Sequence, residues 1–377
     1  MHVLLLDNFS DTRKHLSASS SPGREAQDIF FAQEWFENLA QHGFDTAAQL
    51  RLWAFEQEGR LVGCVPMADG VRTDAPFGST LGSLSNYYSC LYGPINPGEG
   101  LPSEAWASLA KAIRQHPARW PVVEFHPLDT DSSFYRGMLA NLHAVGYWVD
   151  TLFCFGNWYL DVAGRDYAQY LTSRTSKLRS NITRARKKLD ATGAWEIQVI
   201  TDEGPALEHA IREFERVYNL SWKQPEPYPE FIPGLCRMAA RQGWLRLGLL
   251  NYEGQAIAAQ LWFVVNGRAL IYKIAYDQAQ SALSAGAVLT ADMIRRAIDE
   301  DRVHEVDYLS GDDAYKRHWM SHRRERFGII AFNPRTLGGL IAGGRHFLGK
   351  RIKRWRAALE ARRTPAAEGA AAPADPS

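Results

Sequence analysis

Residues 245–265 read LRLGLLNYEGQAIAAQLWFVV, and residues 50–67 read LRLWAFEQEGRLVGCVPM. Each is a strand-like run on either side of an E-G pair, the pattern of a β-hairpin with a tight turn. A shift of 195 lays Leu50, Arg51, Leu52, Glu58, Gly59, Val62 and Gly63 over Leu245, Arg246, Leu247, Glu253, Gly254, Ile257 and Ala258. Helix-spaced apolar segments precede both: DIFFAQEWFENLA at 28–40 and FIPGLCRMAARQGW at 231–244, with Phe36 falling on Phe231. Downstream, a helix at 103–115 before WPVVEFHPL matches a helix at 286–300 before VHEVDYLSG, and Phe134-Tyr135-Arg136 echoes Ala314-Tyr315-Lys316. Two copies of one architecture explain this order.

Each copy reads as helices, a meander of strands, a helix, a strand, a short helix and a final strand. That is an α+β (α/β layered) domain, a mixed and mostly antiparallel sheet flanked by helices. The expected division is 1–157, 158–335, a basic amphipathic helix at 336–363, and a disordered Ala/Pro-rich tail at 364–377.

The chain has 377 residues, 43 Lys+Arg against 42 Asp+Glu, and 46% hydrophobic residues, enough for about two cored domains. A net charge of +1 excludes a globally basic nucleic-acid or membrane binder and confines any polyanion to local patches. No run approaches the ~18 apolar residues of a spanning helix. Cys64, Cys90, Cys154 and Cys236 lie far apart without a CxxC pair, which argues against a zinc ribbon or disulfide framework and points to a reducing, cytoplasmic setting. His318 and His322 stand four apart but lack a third ligand at motif spacing, so no metal is expected. Neither G-x-x-x-x-G-K-[ST] nor G-x-S-x-G occurs.

The most informative stretch is 254–333. There a strand, ALIYKIAYD, gives way to a polar loop, and LSAGA opens a long helix whose free N–H groups suit either a phosphate or an ordinary cap. In GDDAYK, Asp312 and Asp313 read as candidate general bases or as a cap for the following helix.

Four blocks carry a family resemblance: SKLRSNITRARKKL (176–189), GQAIAAQLWF (254–263), AYDQAQSALSAGAVL (275–289) and VDYLSGDDAYKRHW (306–319). In this order they resemble the GNAT-superfamily acyltransferases of the CelD-like, cellulose-biosynthesis-associated type, relatives of the FemAB peptidyltransferases. The resemblance covers about residues 165–332, and the internal repeat extends it to a tandem-GNAT architecture. It implies direct transfer of an acyl group, acetyl or longer, from acyl-CoA to an amine without a covalent enzyme intermediate.

The acyl-pantetheine would lie between ALIYKIAYD and HEVDYLS, against Tyr272, Ile274, Ala275 and Tyr276, with the pyrophosphate at Ser284, Ala285, Gly286 and Ala287. The Q/R-x-x-G-x-G/A loop of standard members is absent, Gly286 being the only glycine. Lys316 is the expected cation for the developing oxyanion. Tyr315 or Tyr308 would return a proton to the thiolate.

The implied acceptor is an amino sugar or glycan precursor, with the loop DGVRTDAPFGSTLGSLSNYYSCLYGP lining its cleft. The alternatives are a Fem-like ligase using aminoacyl-tRNA, met by Arg174, Lys177, Arg179, Arg184, Arg186, Lys187 and Lys188, and a non-catalytic partner of a polysaccharide synthase. Nucleic acid is expected only in the tRNA case. The basic and apolar residues of 336–356 fit either a terminal docking helix or a peripheral contact with a membrane or synthase.

Overall fold

The two E-G pairs are the turns of two hairpins with the same geometry. Glu58 and Gly59 have φ of 52° and 76°, and Glu253 and Gly254 have 50° and 79°. Positive φ at both central positions is the tight-turn form whose twist matches paired strands, and glycine supplies the second position without strain. The ladder slips by one residue shortly before each turn, at Phe55/Glu56 and at Leu250/Asn251. These are positions related by the same shift of 195.

In the computed structural model, residues 1–16, 28–44, 49–70, 79–95 and 100–363 are described, as backbone alone for 13–16 and 357–363. The tail expected at 364–377 lies outside them. The first half comprises β1 (His2–Leu6), α1 (Phe9–Leu16), α2 (Gln33–His42), β2 (Gln49–Gln57), β3 (Arg60–Asp69), β4 (Thr80–Ser83), α3 (Ser103–Gln115), β5 (Val122–Asp129), α4 (Ser133–Ala144) and β6 (Trp148–Asp161). The second has α5 (Tyr167–Thr172), α6 (Ser176–Thr192), β7 (Trp195–Ile200), α7 (Pro205–Asn219), α8 (Phe231–Arg241), β8 (Leu245–Tyr252) and β9 (Gln255–Val265). It continues through β10 (Arg268–Tyr276), α9 (Ala285–Asp299), β11 (Glu305–Asp307), α10 (Lys316–Trp319) and β12 (His322–Phe332), and α11 (Leu337–Arg363) follows.

The strands form one 12-stranded sheet in the order β1-β2-β3-β4-β5-β12-β6-β11-β10-β9-β8-β7. Pairing is antiparallel except at β4–β5 and β10–β11. The expected division into two separate sheets is therefore corrected at one place: the final strands are exchanged. β12 inserts beside β5, and β6 lies between β12 and β11. The cut expected at 157/158 falls inside β6, which is hydrogen-bonded to β12 from Trp148 to Tyr159. β4, within the stretch read as a long loop, also went unseen, because four residues carry too little periodicity to register.

Aromatic packing joins the halves on one face. The Phe231 ring stacks on Tyr88 at 3.9 Å and meets Trp35 edge-on at 5.6 Å. On the other face, α6 buries Leu178, Ile182, Ala185 and Leu189, one helical stripe, and turns its basic residues outward. Thr175 caps its start and Gly193, at φ 69°, ends it.

Candidate functional site

β10 and β11 run parallel and pair only at Arg268–Glu305, Ala269–Val306 and Leu270–Asp307; then they part. A buried ionic cluster sits at the parting point. Asp307, 1% exposed, takes Nδ2 of Asn157 at 2.5 Å, its own loop's Leu309 N–H at 2.6 Å, Arg268 at 3.1 Å, and Arg324. Arg268 also pairs with Asp28 and with Glu305. Burial alone would raise the Asp307 pKa, but the two guanidiniums overcome that and hold it below the ordinary carboxylate range.

Beyond Leu270 no strand among the described residues pairs with β10 on the β11 side. Its main-chain groups there face a cavity of about 390 Å³ lined by Ile274, Ala275 and Tyr276 on one wall and Tyr308 and Trp319 on another. The start of α9 closes one end through Ser284, Gly286 and Ala287. Ser284 adopts the left-handed conformation at φ 53° and makes no side-chain cap bond, so the first-turn N–H groups of this 15-residue helix keep their positive character. Gln260, 1% exposed, fixes that turn from beneath: its Nε2 donates to Thr290 Oγ1 at 2.7 Å and to the Gly286 carbonyl at 3.2 Å. A Cβ on Gly286 would come within 3.3 Å of the Tyr276 ring.

A second cavity, about 420 Å³, adjoins the first and shares Trp222, Ile274, Tyr308 and Tyr315 with it. Both halves build it. Lys273 pairs with Glu226 at 2.6 Å and lies within 6 Å of the rings of Tyr87, Tyr88, Tyr218 and Tyr272, a cation held among π-faces. Tyr87 donates to Glu226 at 2.5 Å. Burial would raise the Glu226 pKa, and Lys273 with the Tyr218 and Tyr87 hydroxyls brings it down instead. Lys223 lines the same cavity; burial first, and the neighbouring Lys273 charge second, push its pKa down to about 8.

The expected residues divide between these places. Ile274, Ala275, Tyr276, Ser284, Gly286 and Ala287 line the first cavity, and Ala285 is buried directly behind its rim. Tyr272 does not; the irregularity in the β9–β10 ladder between Ile271 and Lys273 turns it to the second cavity, where its hydroxyl donates to the Tyr88 carbonyl at 3.0 Å. Tyr315 lines both cavities and meets Tyr308 edge-on. Asp313 and Lys316 line the second.

Two of the expected residues are engaged by other protein groups. Asp312 lies outside both cavities: Arg323 grips its carboxylate at 2.6 and 2.9 Å and the Trp158 indole donates to it at 2.8 Å, which lowers its pKa and makes it a poor base. Lys316, 5% exposed, faces the carbonyls of Ser310 at 2.5 Å, Gly311 at 3.3 Å and Tyr308 at 3.5 Å and pairs with Asp313 at 3.3 Å, so it pins the loop after β11. His318 lies in α10, whereas His322 lies in β12 and stacks on Tyr159. No metal-holding group of three His, Cys, Asp or Glu occurs among the described residues.

Sequence reading missed Lys223, Glu226, Lys273 and Tyr218. A faint signal existed in SWKQPEPYPE, where prolines at 225, 227 and 229 exclude a helix between α7 and α8 and present charged residues from an extended loop. Tyr87 and Tyr88 lie in the stretch expected to line the acceptor cleft, and they do line the second cavity.

Residues 176–317, from α6 into α10, match the acetyltransferase (GNAT) domain family. No curated protein matches the chain. Among solved structures, FemX is similar at 11% identity over 88% of this chain and 97% of that one, with a TM-score of 0.60. A conserved protein of unknown function from Bacteroides thetaiotaomicron VPI-5482 is similar at 13% identity over 88% and 99%, with a TM-score of 0.52. The fold is thus a mixed, mostly antiparallel sheet flanked by helices, with a GNAT-type domain match over residues 176–317.

Proposed function

We propose that the protein is an N-acyltransferase that moves an acyl group from acyl-CoA to the amine of an amino sugar or glycan precursor, in the manner of the CelD-like enzymes it resembles. The observation that carries this is the parting of β10 and β11 into a cavity that ends at the N-terminus of α9. The unpaired edge of β10 suits the two amides of pantetheine, which can add to it as a strand would. The first turn of α9 suits the diphosphate, with partial positive charge and main-chain donors.

The second cavity then admits the acceptor, and the two meet at Tyr315. The unprotonated amine attacks the thioester carbon, its surplus proton passes to Asp313, and the tetrahedral species collapses with loss of the thiolate. Tyr315, at the junction, protonates that sulfur, leaving an amide and free CoA.

The test is calorimetric titration with acetyl-CoA and longer acyl-CoAs, repeated on Gly286→Glu. The expected result is binding that the variant abolishes, because the new carboxylate repels the diphosphate and its stem meets Tyr276. Wild-type protein that binds no acyl-CoA refutes the donor.

One observation favours a second reading, the Fem-like transfer from aminoacyl-tRNA. The basic helix α6 borders the turn before α9, where Lys188 Nζ donates to the Ala282 carbonyl at 2.9 Å. A polyanion could lie along that face. Steep loss of binding with rising salt, for aminoacyl-tRNA and not for acyl-CoA, would select this donor.

A further inference from the structure

Helix α11 is built the wrong way round for a helix that merely covers a core. Its small residues face the protein: a Cβ on Gly339 would stand 2.0 Å from the Asn333 carbonyl oxygen, and one on Gly343 would stand 2.8 Å from Trp148. The backbone therefore lies directly on the sheet. Asp150 of β6 clamps it there, accepting from His346 at 2.6 Å and from Lys350 at 2.5 and 2.7 Å.

The large apolar residues point away. Leu337 is 74% exposed, Leu348 60% and Trp355 64%, with Leu340 at 42% and Ile352 at 41% between them. At 100° per residue these five fall on one stripe, about 27 Å long at 1.5 Å per residue. Arg351 flanks it on one side, and Arg345 and Arg356 on the other. From 337 to 356 the sequence holds six Lys or Arg and no Asp or Glu. No helix of the described residues is long and apolar enough to cross a membrane.

We propose that α11 is a docking surface for an anionic lipid bilayer, lying flat with Leu348, Ile352 and Trp355 in the headgroup boundary and the flanking arginines on lipid phosphates. Charge selects this occupant over a second copy of the chain, since two such stripes face to face would bring Arg345, Arg351 and Arg356 of each copy, six cations, together with no acid from residues 337–356. The surface is independent of the acyl-transfer cavities, and the clamp at Asp150 holds the whole sheet at a set orientation to the bilayer.

The experiment is co-sedimentation of the full-length protein with vesicles of phosphatidylcholine alone and with about one third phosphatidylglycerol, in low and high salt. The expected result is at least about tenfold stronger partition onto the anionic vesicles, reversed by salt. Leu348→Glu/Ile352→Glu should lose it while keeping the wild-type circular dichroism and melting temperature, both side chains being exposed. An Arg345→Gln/Arg351→Gln/Arg356→Gln variant should lose the lipid-charge dependence in the same way. Absence of binding to either vesicle, equal binding to both, or retention by the folded Glu variant overturns the proposal. So does a concentration-dependent dimer in sedimentation equilibrium that the Glu substitutions dissociate.

Discussion

Asn157 Nδ2 donates to Asp307 Oδ1 over 2.5 Å, so the strand that ends the first half fixes the point at which the cavity of the second half opens. Arg324, on β12, closes the same cluster through Asp307, Glu305 and the side-chain Oδ1 of Asn157. The exchanged strands thus do more than enlarge a sheet; they hold β11 where β10 leaves it.

Removing the Asp307 carboxylate leaves Arg268 and Arg324 with too little buried counter-charge. Asp307→Ala should lower unfolding free energy in urea by about 3–5 kcal/mol, against about 1–2 kcal/mol for Asn157→Ala. Equal, small effects would mean that the cluster is solvated.

Acid should act through the same carboxylate. Its folded-state pKa lies below its unfolded value, so its contribution is complete above the ordinary carboxylate range, about pH 4, and is lost as pH falls through the folded-state value. Wild-type melting temperature should fall steeply below about pH 4, and Asp307→Asn should flatten that part of the curve.

Lys223 predicts the same direction of pH dependence in an alkaline window, with the charged form now the destabilising one. Its pKa falls from 10.5 in the unfolded chain to about 8 in the fold, so protonation at neutral pH costs stability that returns as pH rises from about 8 to 10.5. Lys223→Met should stabilise the protein at pH 7, by on the order of 2 kcal/mol, and should lose that advantage by about pH 10. A pH-independent difference would place the ammonium in water.

Turnover should separate three neighbours. Tyr315→Phe should lower kcat by roughly 10–100-fold with acyl-CoA affinity unchanged. Asp312→Asn should leave kcat within about twofold, because its carboxylate serves Arg323 outside both cavities. Lys316→Ala should lower turnover and melting temperature together, since the Ser310 and Gly311 carbonyls lose their donor.

Separate fragments 1–161 and 162–377 should each lack native circular dichroism and regain it when mixed, because each keeps a strand whose partners lie on the other. A folded, monomeric 162–377 would show that β12 can pair within its own half.

Much of this was legible in the residues. Local rules sufficed for both hairpins, since E-G turns, strand alternation and helix stripes act within a dozen residues. They also sufficed for the start of α9, where Ser284, Gly286 and Ala287 open the helix after the short polar segment that follows β10. The second cavity was not legible. Tyr87, Lys223, Glu226 and Lys273 come from three distant segments, and nothing local distinguishes a tyrosine in a cation cage from one in a core.

The roles of the adjacent Asp312 and Asp313 show the same boundary. One peptide bond separates them, yet one carboxylate turns to Arg323 and the other to Lys316. The sequence by itself determined the repeat, the order of elements and the gap-forming strand, because hydrogen bonding and apolar burial impose short periods on the chain. Only the tertiary structure decided which half each final strand completes, and hence which side chains share a cavity, because strand pairing joins residues as distant in sequence as Tyr159 and Asp307 or Trp148 and Phe332 and depends on register and burial across the whole sheet.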